Sequence, residues 1–310
     1  MTVEGWVATA TDLAEGSPAE PSRAADQAPS TCPGAYGLRL PALQGCRELL
    51  ADAPQRWTEW RIDVGAGSGA PAELLEDARA RIRSAPSGWV DIDRERRSST
   101  INLPKTPAPA EIAQPFLGST AIVAAHWAGL HSFHAGAFVA HDGRAWAILG
   151  SRGAGKSSLL AALALTGTPI LADDVVVVGE DLQGLAGPRC IDLRTETAAA
   201  LGVGEPLGVV GTRERWRLRL DPVAPVAPEV PMGGWIQLEW GEPEIYGVAP
   251  EQRVRTLLAN VALRAEQRDP AALSRLMELF ALPMVCVRRP RKLERISETA
   301  ERLGHHFAQL

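Results

Sequence analysis

The stretch from His134 to Val178, HAGAFVAHDGRAWAILGSRGAGKSSLLAALALTGTPILADDVVVV, decides how the chain is read. Its centre is Gly150-Ser151-Arg152-Gly153-Ala154-Gly155-Lys156-Ser157, which fits the pattern G-x-x-x-x-G-K-[ST] without exception. Each residue type has a chemical reason. The glycines let backbone N–H groups curl around phosphate oxygens where a Cβ would intrude. Lys156 supplies a compact positive charge, and the Ser157 hydroxyl is placed to ligate Mg²⁺. The expected phosphate-contacting run is Gly150 through Ser158: Gly150, Ser151, Arg152, Gly153, Ala154, Gly155, Lys156, Ser157 and Ser158. A helix starting near Lys156 adds its positive dipole end.

The flanks suit the pattern. Ala145-Trp-Ala-Ile-Leu149 is a short apolar run of strand character. Leu159, Leu160 and Leu163 are helically spaced, and Gly167 is placed to end that helix. The chain has only three lysines, Lys105, Lys156 and Lys292, among many arginines, so a lysine in the loop points to a site that needs one. A transporter-type ATPase is disfavoured, because no Leu-Ser-Gly-Gly-like signature follows.

Residues 134–149 read as a β-hairpin turning at His141-Asp142-Gly143-Arg144. A two-residue turn at Asp142-Gly143 sets His134 opposite Ser151, at the mouth of the loop; a bulge shifts it by one. The competing role for His134 is packing. Further on, Asp173 and Asp174 interrupt the apolar run Ile170 to Val178. Buried carboxylates need a partner, and Mg²⁺ with a nucleotide would be one. Alternation along a strand turns the two opposite ways unless the chain bends there.

His134, the loop 150–157 and Ile170-Leu-Ala-Asp-Asp174 together resemble the core of the HPr kinase/phosphorylase family. The resemblance covers about 45 residues well and the rest only in general terms. It implies an α/β phosphate-loop kinase core of the HPr kinase/phosphoenolpyruvate carboxykinase type. It also implies ATP with Mg²⁺ and transfer of the γ-phosphoryl group to a serine on a peptide or small protein. Under it, Asp173 is the acid/base for the seryl hydroxyl, Asp174 holds metal with Ser157 or supports Asp173, and His134 lines the phosphate site with Lys156. The family's Glu-Ile-Arg-Gly string, whose glutamate helps hold metal, does not occur; the corresponding region reads Gly187-Pro-Arg-Cys-Ile-Asp-Leu-Arg194. Arg152 stands where the family often has serine. In these departures the chain is more similar to divergent members encoded beside peptide-tailoring enzymes, some of which phosphorylate lasso peptide precursors. The rival reading is a nucleotide-binding regulatory or scaffold protein with a kinase fold and no transfer.

Outward from this core, residues 1–34 are rich in Ala, Pro, Ser and acids and read as a disordered tail. Residues 35–103 read as a small N-terminal α+β domain, with strands at Leu38–Leu40, Trp60–Val64, Trp89–Ile92 and Thr100–Leu103 and a helix over 71–82. The turn Arg94-Glu-Arg-Arg97 is read as solvated. Residues 104–310 form the phosphate-loop domain, opening with a Pro-rich linker and a helix from Pro115 to Leu130. Strands are expected at 215–220, 234–239, 243–247 and 283–287. The first alternates Arg215, Arg217 and Arg219, a basic face that is either solvated or supplies an arginine to the transferring phosphate, with Trp216, Leu218 and Leu220. Trp235 and Trp240 read as packing. Apolar stripes at Val254/Leu257/Leu258/Val261, Leu273/Leu276/Met277/Phe280 and Leu293/Ile296/Ala300/Leu303/Phe307 predict three helices. Arg288, Arg289, Arg291 and Lys292 form a local basic patch, read mainly as a solvated helix start, with docking of an acidic peptide or of adenine-nucleotide phosphates as the alternative.

Composition narrows the class. At 45% hydrophobic, 22% charged and a net charge of −5, the chain is an ordinary globular sequence and not a general nucleic-acid binder. Four scattered cysteines with no C-x-x-C suit a reducing cytoplasm and support no zinc site. Val3 to Leu13 is too polar for a signal peptide, and no apolar run is long enough to span a membrane. His126, His131 and His134 have no carboxylate or cysteine at ligand spacing. A homo-oligomer stays open.

Overall fold

The computed structural model describes residues 31–69, 71–85, 88–210, 213–220, 225–263 and 270–308. The tail expected over 1–34 lies outside them up to residue 30. The described chain is mixed α/β with four sheets, of four, five, nine and three strands.

The nine-stranded sheet is built around the strand Ala145–Leu149, all five residues of which are buried. Alternation sends its side chains into two different layers. Trp146 and Ile148 pack with Leu159, Leu160 and Leu163 of the helix Lys156–Leu165 and with Ile296, Ala300, Leu303 and Phe307 of the helix Ile296–Phe307. Ala145, Ala147 and Leu149 join the other core with Phe133, Trp235, Leu257 and Leu279. Each leucine so buried contributes about 1.5–3 kcal/mol relative to exposure. On one side the strand pairs antiparallel with Gly136–Val139, which in turn pairs with Ile170–Ala172. On the other it pairs parallel with Glu229–Trp240, followed in parallel by Met284–Arg289. The edge strand Glu244–Gly247 closes that side.

The three-stranded sheet, Cys190–Leu193, Arg213–Arg219 and Glu205–Val210, is antiparallel. Before the central sheet come a four-stranded sheet within residues 33–59 and a five-stranded one within 61–103. The helix Leu117–Trp127 leads into the strand His131–Phe133. Among the described residues, no helix is long and apolar enough to cross a membrane.

Several expectations are corrected. The helix predicted over 71–82 is instead strand: Leu74–Leu75 and Arg79–Ala85 pair antiparallel, and the latter also pairs with Gly88–Asp93. Cross-strand ion pairs hold the second ladder, Arg81 to Asp91 at 2.6 Å and Arg79 to Asp93 at 3.9 Å. The turn 94–97 is partly anchored: the Arg94 guanidinium donates to the Trp127 carbonyl at 2.9 Å. The helix Pro270–Ala281 buries Ala272 and Leu279, while Met277 is 65% exposed. Its orientation follows from two polar contacts, Trp235 Nε1–H to the Leu279 carbonyl at 3.0 Å and His131 Nε2 to the Ala272 carbonyl at 2.7 Å. In the helix Pro250–Asn260 only Leu257 is buried. Nor is the arginine face wholly solvated, because Arg217 is 2% exposed.

Candidate functional site

The loop joins the strand Ala145–Leu149 to the helix Lys156–Leu165. Gly155 is the residue before that helix and has φ +85°. It needs glycine twice over: the left-handed backbone disfavours a side chain, and a Cβ there would run into the Arg289 guanidinium. Lys156 Nζ donates to the Gly150 carbonyl at 2.8 Å, and burial pulls its pKa down against the attraction of Asp174 and Asp173. Ser158 Oγ lies 3.0 Å from Thr197 Oγ1, tying the loop helix to the short helix Thr195–Leu201.

The aspartate pair escapes the alternation rule because the chain bends. Asp174 takes φ +69°, between the strands Ile170–Ala172 and Val176–Val178, a conformation aspartate tolerates better than most residues. Both carboxylates therefore line the same cavity as the loop, of about 1140 Å³. Asp173 is 3% exposed and Asp174 exposed. Ser157 Oγ donates to Asp173 Oδ1 at 3.0 Å. Burial, then the neighbouring Asp174 charge, pushes Asp173 up to about 7. That is the range in which a carboxylate both accepts and returns a proton near neutrality.

The hairpin register differs by one residue from the expected one. Gly136 pairs with Ile148, because the turn holds three residues, with Ala140 N–H to the Arg144 carbonyl and Gly143 at φ +78°. His134 and Gly150 do not pair directly. Asn260 joins them: His134 N–H donates to its carbonyl at 2.8 Å and Gly150 N–H to its Oδ1 at 3.3 Å. The exposed His134 side chain lines the cavity beside the loop. His131, by contrast, is committed to Ala272, and no group of three His, Cys, Asp or Glu residues placed to hold a metal occurs among the described residues.

Three further residues reach this cavity from distant parts of the chain. Asp192, in the region where the Glu-Ile-Arg-Gly string is missing, is held by Arg217 through Nε–H to Oδ1 at 2.8 Å and Nη2–H to Oδ2 at 2.9 Å. Burial raises its pKa despite that guanidinium. Asn260 comes from the end of a helix with no local signal of its role. Arg289, from the basic patch, is buried rather than solvated and donates to the Ala154 carbonyl at 2.6 Å. Burial lowers its pKa to about 10. It lies 4.2 Å from the ring centre of Trp240, which is 40% exposed on the cavity wall and so is not the packing residue expected. Behind the aspartates, burial and then the Asp174 charge hold the Tyr36 phenol firmly protonated.

The donor set fits a magnesium nucleotide. A glycine-lined loop, a lysine, a serine hydroxyl and two carboxylates converge on one cavity. Magnesium needs only one or two carboxylates when phosphates and water complete its shell. Ser157 and Asp174 are the residues that would hold it.

No family model matches this chain, and no curated protein does. Among solved structures, the HPr(Ser) kinase/phosphatase from Coxiella burnetii aligns with 58% of this chain and 99% of that one, at 15% identity and a TM-score of 0.29. With so low a TM-score, the functional reading rests on this chain's own residues.

Proposed function

We propose that the protein is an ATP-dependent serine kinase, transferring the γ-phosphoryl group to a seryl hydroxyl on a peptide or small protein. A ribosomal peptide natural-product precursor is one acceptor of that kind. The observation that carries this is Asp173: a buried carboxylate bonded to the loop serine and sharing a cavity with Lys156. A nucleotide-binding module with no transfer has no need of such a base.

In this reading the loop N–H groups and Lys156 orient the phosphates, and Mg²⁺ supplies charge neutralisation when bound. Asp173 takes the seryl proton as the oxygen–phosphorus bond forms and the bond from phosphorus to the departing ADP oxygen breaks. Asp174 would hold the metal with Ser157. Arg289 and His134 border the phosphates.

The test measures phosphate incorporation into serine-containing peptides alongside calorimetric ATP binding. Lys156→Ala is expected to lose most of the affinity for ATP with Mg²⁺ and to keep the fold. Asp174→Asn is expected to raise the Mg²⁺ concentration needed for both binding and transfer, and chelation to abolish transfer. Tight ATP binding by wild type with no transfer to any serine peptide tried would favour the binding module.

A further inference from the structure

On the three-stranded sheet, one face of the strand Arg213–Arg219 carries four arginines, and they are answered by acids only at one end. Arg219 has Glu48 at 3.3 Å and Glu205 at 3.6 Å. Arg217 has Asp192, directly opposite in the antiparallel register. Residues two apart on a strand share a face, so Arg215 and Arg213 continue it. The register Leu193 to Trp216 then brings Arg194 across from Arg215. Like charges directly opposite one another destabilise a sheet. None of Arg194, Arg213 and Arg215 has a salt-bridge partner among the described residues, and all three line the cavity with Arg152 of the loop. After burial, the charges of Arg213, Arg215 and Arg152 weigh against that of Arg194, and Glu196 offsets them only in part. A chain of net charge −5 thus gathers positive charge that is only partly compensated on one wall of its site.

The loop already has Lys156 and its own N–H groups for a nucleotide, and the arginines sit on another element, beyond Asp192. They share one cavity with Asp173, where the acceptor serine is read to sit. We propose that Arg194, Arg213 and Arg215 dock carboxylates of the acceptor peptide on that wall, beside its serine, so that the kinase selects acidic peptides. This rests on the kinase reading of the same site.

The test uses the full-length protein and fluorescein-labelled peptides with one central serine. Aspartates, lysines or glycines stand two and three residues away on both sides. Binding is read by anisotropy without nucleotide, transfer with ATP and Mg²⁺, and ATP affinity by calorimetry. Wild type is expected to bind the aspartate peptide at least about tenfold more tightly than the glycine one, with the difference shrinking as salt rises. Arg213→Gln/Arg215→Gln removes that preference and leaves ATP affinity within a few-fold; the paired Lys variants keep it. Arg194→Gln also weakens the preference, and relief of the opposed charges holds or raises Tm. Equal binding of aspartate and lysine peptides by wild type overturns the proposal. So does a Gln double variant that loses ATP affinity while keeping its hold on the aspartate peptide, since the arginines then serve the nucleotide. If wild type binds the aspartate peptide through these arginines yet phosphorylates nothing, acidic docking stands and the kinase reading falls.

Discussion

Asp173 is asked to be buried and basic at once, and the two demands have opposite consequences for rate and stability. In the proposed role of general base it must be ionised, so kcat/KM for the proposed transfer is expected to climb through pH 7 and level off above it. Asp173→Asn removes the basic site at almost constant shape. Transfer should fall about a hundredfold or more while ATP binding stays within a few-fold. For stability the sign reverses. The folded-state pKa lies above the roughly 3.9 of an unfolded aspartate, so the folded protein holds its proton to higher pH. Stability from this group is full below about pH 4 and is lost as pH rises through 7. Asp173→Asn should therefore be more stable than wild type at pH 8, by up to about 4 kcal/mol, with the gain vanishing towards pH 4. Urea unfolding at the two pH values measures this. An Asn variant less stable at pH 8 would show that Asp173 carries its charge comfortably. The residue itself was legible in the sequence, as paired acids in an apolar run. That both acids face one cavity was not, because it depends on the left-handed turn at Asp174.

At the scale of elements, the loop and the end of the strand Met284–Arg289 fit each other through one missing side chain. Arg289 reaches the Ala154 carbonyl only because Gly155 has no Cβ, and the Trp240 ring covers its other side. Gly155→Ala should cost about 1–2 kcal/mol for the left-handed backbone alone. Displacement of the guanidinium adds to that, and ATP affinity should drop. Arg289→Ala in the same chain removes the clash, so the two changes should be less than additive, which a double-mutant cycle by denaturation tests. Strict additivity would mean the guanidinium is not held against Gly155. Legibility at this scale was uneven. The loop, its flanking strand and helix, and the hairpin follow from local pattern. Residues 71–82 misled, since Ala, Leu and Glu favour a helix. The alternation of Arg79, Arg81 and Arg83 was the better signal, and its meaning came from Asp91 and Asp93 on the neighbouring strand. Arg289 looked like surface charge because nothing nearby in sequence shows what covers it.

Over the whole described chain, the interaction that ties the site to the segment before the helix Leu117–Trp127 is the one around Arg217. Its guanidinium takes Asp192 with two hydrogen bonds and donates to the carbonyls of Ala110 and Gln114, so it joins the three-stranded sheet to the segment that leads into the helix Leu117–Trp127. No spacing in the sequence could announce a contact between residues about a hundred positions apart. A buried ion pair of this kind contributes little net stability against an apolar pair, but breaking it on one side is costly. Arg217→Met should cost about 3–5 kcal/mol at neutral pH, because Asp192 is left buried without its partner. Burial already raises the Asp192 pKa, and loss of the guanidinium should raise it further. The unfolded chain then releases that proton at lower pH than the folded one, so the variant's deficit should shrink on acidification, as Asp192 becomes neutral. Asp192→Asn added to Arg217→Met removes the stranded charge and should recover a good part of the loss at neutral pH. Denaturant unfolding of wild type and the two variants at pH 5 and pH 8 decides it. A deficit independent of pH, with no recovery in the double variant, would mean that Arg217 holds the fold through the two backbone carbonyls and not through Asp192.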